Sequence, residues 1–162
     1  MTRPTNDASF GDGRTVARSL LASLDFRLRH ACDDAPDGFA DDRVALGART
    51  PRELLQHVAD LMDKALGTFG HDAPAPEGHP SAGDWTAVRA HVHARIARLD
   101  HALRDEEVRP ERLEPQAMVR GPLADALTHT GQLVLLRRLA GAPVARVSYP
   151  RVAMPAPAEN EP

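Results

Sequence analysis

Residues 121–141 read GPLADALTHTGQLVLLRRLAG, and this run decides the fold. It is the clearest helix in the chain and the one that sets polar, ligand-type side chains among leucines. Pro122 suits a first helical position, where no backbone donor is lost, and Gly141 suits the left-handed residue that closes a helix. Asp125 lies near the positive end of the helix dipole, with Arg137 and Arg138 near the negative end. These marks predict a helix of about 19 residues. Turning each residue by roughly 100° puts Asp125, Thr128, His129, Gln132, Leu136 and Leu139 on one strip, flanked by Leu133 and Leu135. Asp125 and His129, four apart, stand one turn apart on the same side, a spacing that lets both reach a single metal ion. Leu123, Leu127 and Val134 form a second apolar line on the opposite side. One face is expected to enter a core and the other to meet a partner, a homodimer being the expected form.

Outward from this helix the chain reads as three more. From Arg14 to Cys32, Val16, Leu20, Leu21, Leu24, Leu28 and Ala31 recur at helical spacing, while Arg18, Asp25, Arg27 and Arg29 fall mostly elsewhere. Phe26 points off the stripe and is a candidate for an interface; Cys32 reads as an inert, partly buried thiol. Residues 33–49 carry Pro36, Gly38 and Gly47 among aspartates and read as a connection. It is longer than neighbours in a simple up-down bundle need, and suits crossing the bundle end or covering a site. Thr50, Pro51 and Glu53 then form a capping-box pattern opening a second helix. Leu54, Val58, Leu61, Met62, Ala65 and Phe69 are its core stripe. His57 lies at the stripe's edge, and Asp60, three residues on, is placed to orient its imidazole or to face water.

Residues 70–83 are a loop by composition, with His71 and His79 as weak candidates for a site mouth. Asp84 caps a third helix running to about Asp105, with Trp85, Val88, Val92, Ile96, Leu99 and Leu103 as core. His91, His93 and His101 fall off that line and are expected in solvent. Residues 106–120, with Pro110 and Pro115, lead into the fourth helix, and residues 142–162 hold too many prolines for a long helix. The expected organisation is a flexible lead over residues 1–13, one all-α four-helix bundle over 14–145 and a Pro-rich tail over 146–162.

Composition narrows function. At 162 residues the chain suits one domain with a sizeable core. Net charge is −3 and the basic residues are scattered, so no electrostatic footprint for nucleic acid or an anionic membrane is present. Cys32 is the single cysteine, the N-terminal stretch lacks an apolar core of signal-peptide length, and no apolar run approaches the ~20 residues of a membrane span. A cytoplasmic protein is the expectation.

In a bundle, His57 of the second helix can meet Asp125 and His129 of the fourth. Two imidazoles and a carboxylate make a divalent-metal set with open positions for water or a substrate atom. From the residues alone a hydrogen-bonded histidine in a structural role is the competing reading, and Asp125 can equally be a dipole partner.

The runs ADALTHTGQLVLLRRLAGAPV and TPRELLQHVADLMDKAL resemble the DinB-like superfamily of four-helix bundles, over roughly residues 14–145. The resemblance implies a divalent metal held by a His of the second helix and two His one turn apart on the fourth, the last shortly before a Gly-Gln step. These positions fall on His57, on His129 before Gly131-Gln132, and on Asp125, where the family usually has His. The substitution suits zinc, nickel, iron or manganese. The resemblance further implies S-transferase or isomerase chemistry on a small-molecule substrate with a low-molecular-weight thiol such as bacillithiol, mycothiol or glutathione, the metal activating the thiol. Gln132 would bond a ligand or support the site, with Asp60 behind His57. The alternatives are metal-dependent hydrolysis through an activated water and a non-catalytic, stress-associated dimer in which Asp125, His129 and Gln132 form a buried polar network.

Overall fold

The computed structural model describes residues 13–69, 80, 84–105 and 114–157. The lead before Gly13, His71, His79 and most of their loop, residues 106–113 and the last five residues lie outside the described residues. Five α-helices follow in order: α1 Gly13–Cys32, α2 Pro51–Leu66, α3 Trp85–Arg104, α4 Pro115–Met118 and α5 Ala124–Leu139. A π-helical turn, Val119–Leu123, joins α4 to α5, so the two act as one bent rod and the architecture is an all-helical bundle of four. No strand occurs among the described residues. The rods α1 and α2 each have α3 and α5 as main neighbours and therefore sit diagonally across the bundle.

Helix starts follow from local chemistry. The Thr50 hydroxyl accepts from Glu53 N–H while the Glu53 carboxylate accepts from Thr50 N–H, satisfying two orphan donors of α2. Asp84 caps α3 by accepting from the Ala87 amide at 2.8 Å. The fourth rod starts earlier than its proline signal suggests. Pro115, expected in a connection, occupies the first turn of α4, and Pro122 sits inside the helix rather than at its start. Lacking an N–H, Pro122 cannot close a normal turn; the backbone widens to a π turn and Gly121 takes a non-helical φ, ψ of −98°, −107°. At the far end Gly141 closes the rod at φ +73°, the left-handed conformation expected of it.

The core is built from the predicted stripes. Leu21, Leu24 and Leu28 of α1, Val58 and Met62 of α2, Ile96 and Leu99 of α3 and Leu133 of α5 are fully buried. Each such side chain stabilises the fold by ~1.5–3 kcal/mol, and truncation of Leu24 to Ala would cost about 2–5 kcal/mol. Val16 departs from its predicted stripe and is exposed.

The second apolar line of the fourth helix is not an outer face. Leu123 is fully buried, and Leu127 and Val134 pack against the core. The rod's exposed leucines are Leu135 and Leu139, so the side expected to meet a second copy is the side that enters this chain's own core. The tail lies over α1: Phe26 meets Tyr149 edge-on at 6.3 Å, Arg27 sits 3.6 Å above the same ring, and the His30 ring bonds Ala145 O at 2.8 Å. That contact accounts for Phe26. No described helix is long and apolar enough to cross a membrane.

The polar residues of α1 and α3 are the clearest departure from periodicity. His93, expected in solvent, is buried, and its Nδ1 lies 2.5 Å from Asp25 Oδ1. The other Asp25 oxygen accepts from Arg29 at 2.9 Å. Burial alone would raise the Asp25 carboxyl; the His93 and Arg29 hydrogen bonds outweigh it and hold the group below its ordinary value. His101 is exposed as expected, and His91 is half-buried.

Candidate metal centre

The edge position of His57 on α2 and the strip of α5 face each other. A ligand atom from each of His57, Asp125 and His129 lies within 4.8 Å of the others. His129 Nε2 stands 3.3 Å from Asp125 Oδ1, and His57 Nε2 stands 3.9 Å from Asp125 Oδ2. The two imidazoles meet edge-to-face with centroids 4.7 Å apart. Two donors each ~2.0–2.2 Å from one zinc ion lie about 3–3.5 Å apart. The His129–Asp125 pair already has that separation, while His57 stands 3.9 Å from Asp125 and the three atoms lie within 4.8 Å of one another.

Protonation favours coordination. Burial first, then the positive charge of Arg49, pushes His57 below the ordinary histidine value, so its ring is neutral at neutral pH with a lone pair to offer. His129 Nδ1 donates to Gln132 Oε1 at 2.9 Å. In the neutral ring that leaves Nε2 as an acceptor, aimed at the Asp125 carboxylate, itself an acceptor. Two acceptors 3.3 Å apart repel unless a proton or a metal ion lies between them. Gln132 thus holds the ring as the partner of a metal-ligating histidine does. Asp60 is half-buried on α2 and is not among the clustered ligand atoms.

The trio is not a sealed interior network. Side-chain exposure is 24% for His57, 12% for His129 and 49% for Asp125, and Gln132 is also exposed. Two clefts border it, one at Asp125 and one at His129. One, of about 470 Å³, is lined by Asp125 and Thr128 with Leu61, Lys64, Arg120 and the Gly121–Pro122 kink. The other, of about 390 Å³, is lined by His129 and Gln132 with Leu54, Leu135, Leu136 and Leu139. Its far wall is Val44, Ala48 and Arg49 of the α1–α2 connection, so that long segment does border the site. A short helical turn, Phe39–Asp41, anchors it: Phe39 is buried and meets Trp85 edge-on, and Arg52 grips Asp41 through two bonds of 2.8 and 2.9 Å. Arg49, Lys64 and Arg120 were not singled out by sequence, because they lie on three separate segments with no shared spacing.

No family model, curated protein or solved structure matches the chain.

Proposed function

We propose that the chain is a divalent-metal protein of the DinB-like type, with His57, Asp125 and His129 holding the ion and a low-molecular-weight thiol as co-substrate in transfer or isomerisation chemistry. The observation that carries the metal reading is the convergence of three donor atoms from two facing helices, with Gln132 presetting the His129 tautomer. The donor set fits the group: two neutral imidazoles and one carboxylate leave positions open for an exogenous ligand. A bound divalent ion supplies Lewis acidity, which makes a thiol acidic enough to act as a thiolate at neutral pH.

The chain's own residues then divide the work. His57 and His129 contribute lone pairs without charge, and Asp125 contributes the single negative charge that offsets part of the ion's. Gln132 keeps the His129 proton on Nδ1, away from the ion. Leu54 and Leu136 exclude water from one side of the site, while exposed Asp125 leaves the other open to an entering ligand. The thiol reading is supported by the match of His57, His129 and the Gly131-Gln132 step to the DinB-like pattern.

Elemental analysis of protein purified without a metal-affinity tag, before and after loading with zinc, nickel, iron or manganese, tests the centre. About one ion per chain, lost in Asp125→Ala and His129→Ala with helicity retained, is the expected result. Stoichiometric metal in either variant overturns the assignment. Activity against electrophiles that appears only with a low-molecular-weight thiol and metal together tests the reaction; equal activity without the thiol refutes it.

A further inference from the structure

The cleft beside Asp125 and the cleft beside His129 differ in chemistry, and the difference specifies a ligand. Several arginines on the bundle are matched to a carboxylate: Arg18 and Arg104 to Asp100, Arg29 to Asp25, Arg43 to Glu53, Arg52 to Asp41, Arg89 to Asp33 and Arg95 to Asp63. Arg49, Lys64 and Arg120 line the clefts and have no carboxylate partner among the described residues, in a chain whose acids outnumber its bases. Asp63, the neighbour of Lys64 in sequence, is already taken by Arg95 at 3.1 Å. A divalent ion on two neutral imidazoles and one carboxylate keeps a net positive charge, and these three side chains add to it. Such a site attracts an anion. Lys64 and Arg120 sit together on the Asp125 side, whereas the His129 side carries four leucines. Leu135 and Leu139, 54% and 60% exposed, are the only large exposed apolar residues of the described fourth rod, and both line that second cleft.

We infer that the site's ligand is an amphipathic organic anion, with a carboxylate or phosphate in the Lys64–Arg120 cleft and an apolar body along Leu135, Leu136 and Leu139. This rests on the metal reading for the donor atom at its centre. The clefts' volumes, about 470 and 390 Å³, suit a small organic molecule spanning both.

The test uses 2-mercaptooctanoate, which joins a thiol, a carboxylate and an alkyl chain at one carbon, against octane-2-thiol and mercaptoacetate, which lack the carboxylate and the chain respectively. Binding is read by calorimetry on the zinc-loaded chain, with metal content measured in parallel. The whole probe should bind about tenfold more tightly than either fragment. Lys64→Met with Arg120→Met should remove the advantage over octane-2-thiol, and Leu135→Ser with Leu139→Ser the advantage over mercaptoacetate, while zinc content stays unchanged. Inorganic phosphate competing more strongly than acetate at the Lys64–Arg120 cleft would assign the anion as phosphate; the reverse order assigns a carboxylate. Zinc retained with no discrimination among the three probes overturns the ligand assignment and leaves the metal centre standing. Probe binding that depends on Lys64 and Arg120 in a chain that takes up no zinc overturns the metal centre and keeps the anion cleft. Neither zinc nor probe binding overturns both.

Discussion

Replacing Gln132 tests what the tautomer of His129 contributes to the proposed metal centre. In Gln132→Ala the acceptor for His129 Nδ1–H, now 2.9 Å away, is gone. The ring can then carry its proton on either nitrogen and rotate out of line with Asp125. Loss of such a supporting bond typically weakens metal binding 10- to 100-fold, or about 1.4–2.7 kcal/mol. Gln132 is exposed, so water partly replaces the lost acceptor, which places the expected effect near tenfold, ~1.4 kcal/mol. Gln132→Glu keeps an acceptor and adds charge, so its affinity should equal or exceed that of the parent chain. His129→Ala removes a donor outright and should cost well over 100-fold, on the order of 3 kcal/mol or more. Competition of zinc against a chromophoric chelator at pH 7 gives all four affinities, with circular dichroism confirming that helicity is unchanged. Equal affinity for Gln132→Ala and the parent would refute the orienting role. Equal affinity for His129→Ala would refute the centre itself.

Three further predictions concern the bundle. Asp25→Asn should lower stability at pH 7 by roughly 1.5–3 kcal/mol, the value of hydrogen bonds to a buried charged group. The folded-state carboxyl lies below the ordinary aspartate value, so its contribution is complete above that value and lost as pH falls through the folded-state one; denaturant midpoints from pH 7 to 2 should show a shallower acid limb in the variant, and parallel limbs would contradict the Asp25–His93 account. Thr50→Ala should cost about 1 kcal/mol through loss of the α2 cap, seen as a lower thermal midpoint with an unchanged fold; no shift would mean that Glu53 alone suffices. Cys32 is 1% exposed and its thiol is pushed up to about 12, by burial first and by Asp33 second. Iodoacetamide at pH 8 should leave the native chain unmodified and alkylate it fully in guanidinium; fast native labelling would contradict the packing at the end of α1.

Much of the bundle was legible because periodicity is a local signal. The α2 boundary follows from Thr50, Pro51 and Glu53, whose chemistry closes within one turn. The stripes of α1, α2 and α3 needed only the helical repeat. The clustering of the candidate residues was legible in part for the same reason: Asp125 and His129 share a face by spacing alone, and His57 stands at a stripe edge. Pro122 misled, because a proline that opens a helix and one that forces a π turn inside it look alike until the preceding segment is seen to be helical.

What the sequence by itself determined is the set of four amphipathic rods, the caps at Thr50 and Asp84 and the residues able to offer lone pairs, since each depends on neighbours within a few positions. Tertiary structure alone decided which polar side chains are buried. Asp25 and His93 stand 68 residues apart, and no periodicity says that α1 and α3 will place them in contact; a charge off the apolar stripe reads as solvated until a partner from another helix compensates its burial. The same holds for the three cations that line the clefts. Arg49, Lys64 and Arg120 become one electrostatic feature only when a connection, a helix face and a kink are brought around one carboxylate and two imidazoles, because charge acts through space and not along the chain.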